Sequence, residues 1–310
     1  MAVQTQLVRD QHLVPQWHLR NFADVSGDLW RYMQDRPVKR SRPKGECWEL
    51  DFYEYELNGK KTNNKYENWL GRIENDAAAI LQSLLNHSQL LGQRNATIWA
   101  AYVASLFIRS QKYRMQVSAA MTKKFKEQTQ SRDFVRDLQH DLLKKGELVF
   151  AEDLEKDIER LRTNMENSPS FYHVVGLQRL TASLGEALMS KTWHILQAPP
   201  GTCFLTSDCP VMTAEFVDNQ AMPGAGFGKE RTAIMLPVSP QHLFVAASPL
   251  SRWKSVLEPR HVHSMNLLTV RFAHKRVYAP MNSLDIKALV DVEINTILFG
   301  KNAFLPQNQN

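Results

Sequence analysis

A clear helix signal lies between Tyr66 and Leu84, where apolar residues recur every three or four positions along the chain. These residues are Tyr66, Trp69, Leu70, Ile73, Ala77, Ile80, Leu81 and Leu84. The spacing places them on one face of a helix that packs on a core. The run from Ala96 to Ile108 is almost uniformly apolar but too short to cross a bilayer, so it predicts a buried helix with Asn95 as its N-cap.

Shorter elements precede this helical region. Residues 1–10 predict a loose tail, and Pro15 suits the first position of a short helix. The alternation of apolar and polar residues at 29–32 and at 51–57 predicts two strands. Asn58-Gly59 is a strong turn signal after the second of them. The first sixty residues therefore predict a short helix and a small antiparallel sheet.

The remaining elements follow from the same patterns. Further helices are predicted at 131–145, 153–165, 169–190, 259–272 and 284–299. Strands are predicted at 193–197, 202–206, 211–216, 232–237 and 242–247, the last two as a hairpin. Residues 218–229 contain three glycines and a proline, which predicts a mobile loop.

The order of these elements predicts an α+β fold rather than alternating βαβ units. A small antiparallel sheet with a short helix occupies residues 10–60, and a helical bundle occupies 65–191. An antiparallel sheet with two helices occupies 192–300. We expect one domain over 1–310, because 310 residues with 43% hydrophobic content can bury a single large core.

Cysteine content and the N-terminal sequence bear on the compartment. The three cysteines, Cys47, Cys203 and Cys209, include no CxxC pair, which argues against a disulfide framework and a zinc ribbon. The chain does not open with the pattern of a secretory signal. We therefore expect a cytoplasmic protein that is not inserted in a membrane.

The charge balance favours anionic partners. The net charge is +6, and basic residues crowd one short stretch. They are Arg36, Lys39, Arg40, Arg42 and Lys44; a second basic set comprises Lys112, Arg114, Lys123, Lys124 and Lys126. Both sets are either solvated surfaces or contacts to phosphate. On the second interpretation Arg40 and Arg42 bind substrate, and an anionic ligand or a nucleic acid is the partner.

The segment HLVPQWHLRNF at residues 12–22 resembles the opening of a bacterial family of domains of unknown function, H-x-V-P-x-x-x-L-x-x-F. Further matching pieces follow in the order of that family. They are Asp51-Phe52-Tyr53, Glu74, Arg109, TSDCPV at 206–211, LPVSP at 236–240 and Asn266. Where the family usually reads S-D-N-P, this chain has Cys209. The resemblance implies no settled activity.

Two of the matching residues are candidates for chemistry. His12 precedes a helix and can act as an acid, a base or a ligand near neutral pH; the alternative is a histidine bonded to the helix end. Arg109 ends the apolar run and needs an anionic partner if it is buried. That partner is either Glu74 or Asp208 in a structural ion pair, or the anionic group of a substrate.

The remaining candidates are four polar residues on predicted helices and at the end of a predicted strand. Asp208 either binds a divalent metal, alone or with Glu74, or orients a base, or caps its own turn. Glu74 is either such a metal ligand or a residue at the core boundary that pairs with a lysine or arginine. Ser207 is a candidate nucleophile, although no G-x-S-x-G elbow surrounds it. Asn266 lies within a predicted helix and either contacts substrate or is exposed.

These interpretations of the candidate residues lead to two main hypotheses about function. The first is a hydrolase, with a metal-assisted enzyme or a nuclease as its specific forms, that acts on a phosphate-containing or nucleic-acid substrate through His12, Arg109 and Asp208. The second is a non-catalytic binding or sensing module, in stress response or phage defence, whose polar cluster is structural. The first requires that the segments 12–15 and 206–210 meet, with Arg109 between them.

Overall fold

The structure is a computed structural model that describes residues 9–54, 56–57, 60–61, 65–86, 91–167, 171–217, 220–223, 226–248 and 254–296. It confirms the predicted α+β fold. The N-terminal elements are β1 (Asp10–His12), α1 (Gln16–Arg20), β2 (Leu29–Tyr32), β3 (Lys39–Ser41), β4 (Trp48–Leu50), β5 (Glu56–Leu57) and β6 (Lys60–Lys61).

Six helices follow in the described part of the chain. They are α2 (Lys65–Asn86), α3 (Gln93–Ile108), α4 (Gln111–Thr129), α5 (Arg132–Lys144), α6 (Ala151–Asn167) and α7 (Phe171–Met189). The C-terminal elements are β7 (Thr192–Gln197), β8 (Thr206–Ser207), β9 (Met212–Val217), β10 (Gln220–Pro223), β11 (Thr232–Ser239), β12 (His242–Ala247), α8 (Pro259–Phe272), β13 (Val277–Ala279) and α9 (Leu284–Glu293).

Several predicted boundaries were wrong. Of the described residues in the strand predicted at 51–57, only the end is paired, as β5 against β6. Residues 51–53 form a turn that follows β4, which pairs with β1. The predicted mobile loop contains β10, which gains its hydrogen bonds by pairing with β9. The helix predicted at Ala96 begins at Gln93, with Gly92 rather than Asn95 at the N-cap.

Other boundary predictions differ in length or lie outside the described residues. Of the strand predicted at 202–206, only the end is paired, as β8 against β13. The last helix ends at Glu293, so it is shorter than predicted. The turn signal Asn58-Gly59 and the helix start at Pro169 lie outside the described residues.

The largest sheet has the order β10-β9-β11-β12-β7 and is antiparallel throughout. Its centre is covered on both faces. On one face, Phe244 of β12 packs edge-on against Trp99 of α3, with 5.6 Å between ring centroids. On the other face, Thr269 of α8 donates to the sulfur of Met212 at 3.3 Å. This double cover explains why β11 is buried along almost its whole length.

Helix α3 lies at the centre of the helical layer, packed against α2 and α7. Its last residues form an unbroken buried run up to Ile108, as its apolar composition predicts. A second sheet, β3-β2-β13-β8, joins the N-terminal and C-terminal parts of the chain. Among the described helices, none combines the length and apolarity needed to cross a bilayer.

Candidate functional site

Arg109 follows the last residue of α3 and is fully buried. Its Nη1 donates to Oε1 of Glu74 on α2, so the two residues form a buried ion pair. Burial by itself would lower the pKa of Arg109, but the charge and hydrogen bond of Glu74, together with the effects of Tyr53 and Tyr102, outweigh burial and the pKa is raised. Within the described residues, Nε and Nη2 of Arg109 have no hydrogen-bond acceptor.

Polar side chains surround this ion pair. Burial raises the pKa of Glu67, which lies about two helical turns before Glu74 on α2, to about 7, although Arg109 opposes the shift. Burial likewise raises the pKa of Tyr53, whose hydroxyl donates to the carbonyl of His12 at 3.2 Å. A group of this kind, with several perturbed pKa values around one buried cation, is typical of functional sites as well as of structural networks.

His12 belongs to the same electrostatic neighbourhood. Its pKa lies below the ordinary histidine value, mainly because the ring is partly buried. Glu74 opposes that shift and Arg109 adds to it, which places the imidazole close enough to both charges to respond to them. The structure therefore brings together three of the predicted residues: His12, Glu74 and Arg109.

The N-terminal segment also meets the 206–210 segment, but through residues that sequence patterns did not single out. His18 of α1 is buried, and its Nδ1 lies 3.0 Å from the hydroxyl of Tyr102. Its Nε2 lies 3.5 Å from Oγ1 of Thr206. Burial lowers the pKa of His18 to about 3, so the ring is neutral. A signal was present, because His18 lies four positions from each of two buried apolar residues that flank α1, Val14 and Phe22.

Asp208 lies in a different environment from His12 and Arg109. Its carboxylate accepts the backbone N–H groups of His274, Lys275 and Arg276 at 2.8, 2.9 and 3.0 Å. Burial raises the pKa of Asp208, and these three hydrogen bonds oppose the rise. The carboxylate thus binds the backbone of the loop before β13. Asp208 was expected to bind a metal, orient a base or cap its own turn, and the backbone that it caps belongs to this distant loop.

Ser207 and the proposed metal ligands show no catalytic arrangement. The hydroxyl oxygen of Ser207 accepts the N–H of Cys209 at 3.2 Å, an ordinary turn hydrogen bond. Among the described residues, no three His, Cys, Asp or Glu side chains converge as metal ligands. Glu74 pairs with Arg109 and Asp208 binds backbone N–H groups, so the two carboxylates predicted to share a metal have separate partners.

The predicted substrate-binding residues have different surroundings. Asn266 donates to the carbonyl of Cys203 at 2.8 Å and accepts the N–H of Leu205 at 2.9 Å, so its amide holds an extended segment against α8. Arg40 pairs with Asp24 at 2.9 Å and with Asp28 at 3.1 Å. These contacts give Asn266 and Arg40 structural partners within the chain.

Arg42 lines an open pocket of about 550 Å³ beside α1. The other lining residues are Gln16, Arg20, Ala23, Asp24, Val25, Ser26, Gly27, Pro43 and Lys44. Arg20, Arg42 and Lys44 are exposed cations, and Asp24 is the only carboxylate among the lining residues. Asp24 is paired with Arg40, and Arg42 is paired with Asp28 at 3.4 Å, so the excess positive charge of the pocket lining comes mainly from Arg20 and Lys44.

His12 is connected to this pocket through two of its lining residues. Its Nε2 lies 3.2 Å from Nε2 of Gln16, whose Oε1 accepts from Nη2 of Arg20 at 3.1 Å. A hydrogen bond with the Lys44 backbone raises the pKa of His12 against the effect of burial. The ring therefore lies between the buried Glu74–Arg109 pair and the basic pocket.

This arrangement defines an α+β protein with a histidine between a buried ion pair and a cationic pocket. A family model described as "Protein of unknown function (DUF4238)" matches residues 10–282, and the chain belongs to that family. No curated protein and no solved structure matches the sequence.

Proposed function

We propose that this protein binds a phosphate-containing ligand in the pocket beside α1 and hydrolyses it with His12 as the general base. One observation supports the proposal above the others: His12 is hydrogen-bonded to Gln16 and to the Lys44 backbone, and both residues line the pocket. A base must lie within reach of the ligand whose attacking water it deprotonates.

The charge of the pocket supports a phosphate-containing ligand. Arg20, Arg42 and Lys44 converge on it, and arginine and lysine are the side chains that bind phosphate oxygens most strongly. The side chain of Arg42 is 81% exposed, so it can reach a ligand without leaving a buried position. The volume of about 550 Å³ is within the range of small-molecule sites.

The protonation state of His12 supports a base rather than a resident cation. Because burial lowers the pKa of His12, the ring is neutral at pH 7 and has a lone pair to accept a proton. In the proposed step, that lone pair takes a proton from water while the water oxygen bonds to phosphorus. The ester P–O bond breaks, and the leaving oxygen takes the proton from the imidazolium, which regenerates the neutral base.

The experiment separates binding from turnover. Binding of inorganic pyrophosphate is measured by titration calorimetry, and hydrolysis of bis(p-nitrophenyl) phosphate and ATP is followed for the wild-type chain and His12→Asn. We expect binding in both and hydrolysis only in the wild type. The wild-type rate should rise with pH through the lowered pKa of His12 and stay level above it. Hydrolysis that His12→Asn leaves intact would refute His12 as the base.

A non-catalytic binding module remains the second candidate, and one observation favours it. The polar groups of Asp208 and Asn266 are fully engaged with backbone partners, as expected for residues that fix a fold. Saturable pyrophosphate binding without turnover of either substrate would select this candidate. Binding of DNA or RNA that weakens steeply with salt would identify the anion as a nucleic acid.

A further inference from the structure

Gln16 lies between two side chains that restrict how its amide can be oriented. Nη2 of Arg20 donates to Oε1 of Gln16 at 3.1 Å, one helical turn further along α1. On the other side, Nε2 of Gln16 lies 3.2 Å from Nε2 of His12. A guanidinium can only donate hydrogen bonds, so the oxygen of the Gln16 amide must be the atom that faces Arg20.

The orientation of the amide determines the protonation of the histidine. With its oxygen toward Arg20, Gln16 presents its NH₂ group to His12, and an amide NH₂ group can only donate. Nε2 of His12 must therefore be the acceptor and carry no proton. In a neutral imidazole the proton then resides on Nδ1. The ring hydrogen bond with the Lys44 backbone agrees with this state, since only an N–H donor on the ring can use a carbonyl.

We propose that Gln16 is a positioning residue that holds His12 in the Nδ1–H tautomer, and that Arg20 fixes the orientation of the Gln16 amide. The inference rests on the proposed function and deepens it, because Nε2 is the atom that would take the proton from water when the ligand displaces the Gln16 amide from its lone pair. The tautomer itself can be measured without any substrate. The two proposals can therefore fail independently.

The tautomer is read by long-range ¹H–¹⁵N NMR of the full-length, ¹⁵N-histidine-labelled protein at neutral pH. The His12 signals are assigned by their loss in His12→Asn. We expect Nδ1 of His12 to be protonated and Nε2 to show the shift of an unprotonated nitrogen. In the near-isosteric variant Gln16→Glu, a carboxylate oxygen replaces the donor, so the proton should move to Nε2 or the ring should become cationic.

Two further variants test the role of Arg20. In Arg20→Leu the Gln16 amide is free to rotate, and we expect a mixture of both tautomers. Arg20→Lys restores a donor to Oε1 and should restore the wild-type tautomer. Gln93→Glu, an exposed change at the start of α3, is the matched control and should leave the His12 signals unchanged. Melting temperatures show that each variant is folded.

The outcomes are distinct. An Nε2–H tautomer in the wild type would overturn the inference, and so would an unchanged tautomer in folded Gln16→Glu. The expected tautomer without pyrophosphate binding or hydrolysis would leave the positioning role in place and refute the proposed function. The reverse result, hydrolysis with an unaltered tautomer in Gln16→Glu, would refute the positioning role alone.

Discussion

Arg109 and Glu74 are 35 positions apart in sequence and form an ion pair in which the guanidinium is fully buried. The pair joins the end of α3 to the middle of α2, and it lies beside His12 and Glu67. Its two unpartnered donors, Nε and Nη2, show that Glu74 satisfies only part of the hydrogen-bonding capacity of Arg109 among the described residues.

Glu74→Gln should destabilise the protein by about 3 kcal/mol, because it leaves the buried guanidinium without its counter-charge. The free energy of unfolding is measured by urea denaturation. Glu127→Gln is the matched control, since Glu127 pairs with Lys123 on the exposed surface of α4 and the change should have little effect. Equal losses of unfolding free energy in the two variants would show that the Glu74–Arg109 pair stabilises the protein no more than an exposed ion pair does.

Asp208→Asn should lower the free energy of unfolding by about 2–3 kcal/mol, because an amide cannot accept all three N–H groups of residues 274–276. Thermal denaturation with EDTA or with added Mg²⁺ or Mn²⁺ should give unchanged melting temperatures, since N–H donors already occupy both carboxylate oxygens. Asp137→Asn, on the exposed face of α5, is the control. A saturable rise in melting temperature with metal that Asp208→Asn abolishes would instead establish the predicted metal site.

His18 should make the protein sensitive to acid. Its pKa is about 3 in the folded state and near 6.5 in the unfolded chain, so the unfolded state takes up the proton first as pH falls. The contribution is intact above pH 6.5 and is lost progressively toward pH 3, by about 1.4 kcal/mol per pH unit.

His18→Gln should therefore flatten the decline of unfolding free energy between neutral and acidic pH, measured by urea denaturation at a series of pH values. The buried His173, whose burial lowers its pKa to about 4, keeps part of the slope in this variant. His140→Gln, at an exposed position of α5, should retain the wild-type slope. A wild-type slope in His18→Gln would show that His18 is not neutral in the folded protein.

Arg42→Ala should weaken pyrophosphate binding several-fold, while Arg40→Ala should change it much less. Arg42 lines the pocket, and its side chain is 81% exposed with a 3.4 Å contact to Asp28. Arg40 does not line the pocket; it pairs with Asp24 and Asp28 and lies over the ring of Trp30 at 5.9 Å. Calorimetric titration at low salt measures both affinities. An equal loss of pyrophosphate affinity in the two variants would indicate that the anion responds to the general surface charge and does not bind in a defined pocket.

Local sequence determined the elements whose stability comes from neighbouring residues. Helix α8 runs from Pro259 to Phe272 as predicted, because a proline at the first position and Glu258 at the N-cap define its start. The hairpin of β11 and β12 was predicted from two strand-like segments, 232–237 and 242–247, on either side of the turn at Ser239-Pro240. Signals of this kind lie within a few residues of the structure that they specify.

Tertiary structure decided the partners of polar side chains and short strands. Nothing near Asp208 in sequence indicates that its carboxylate binds residues 274–276, and nothing near β10 indicates that β9 will supply its hydrogen bonds. A short strand or a buried charge is stable only when a distant segment completes its hydrogen bonds. The sequence by itself could name His12, Glu74, Arg109 and Asp208 as candidates, whereas only the fold paired Arg109 with Glu74 and gave Asp208 the backbone of residues 274–276 as its partner.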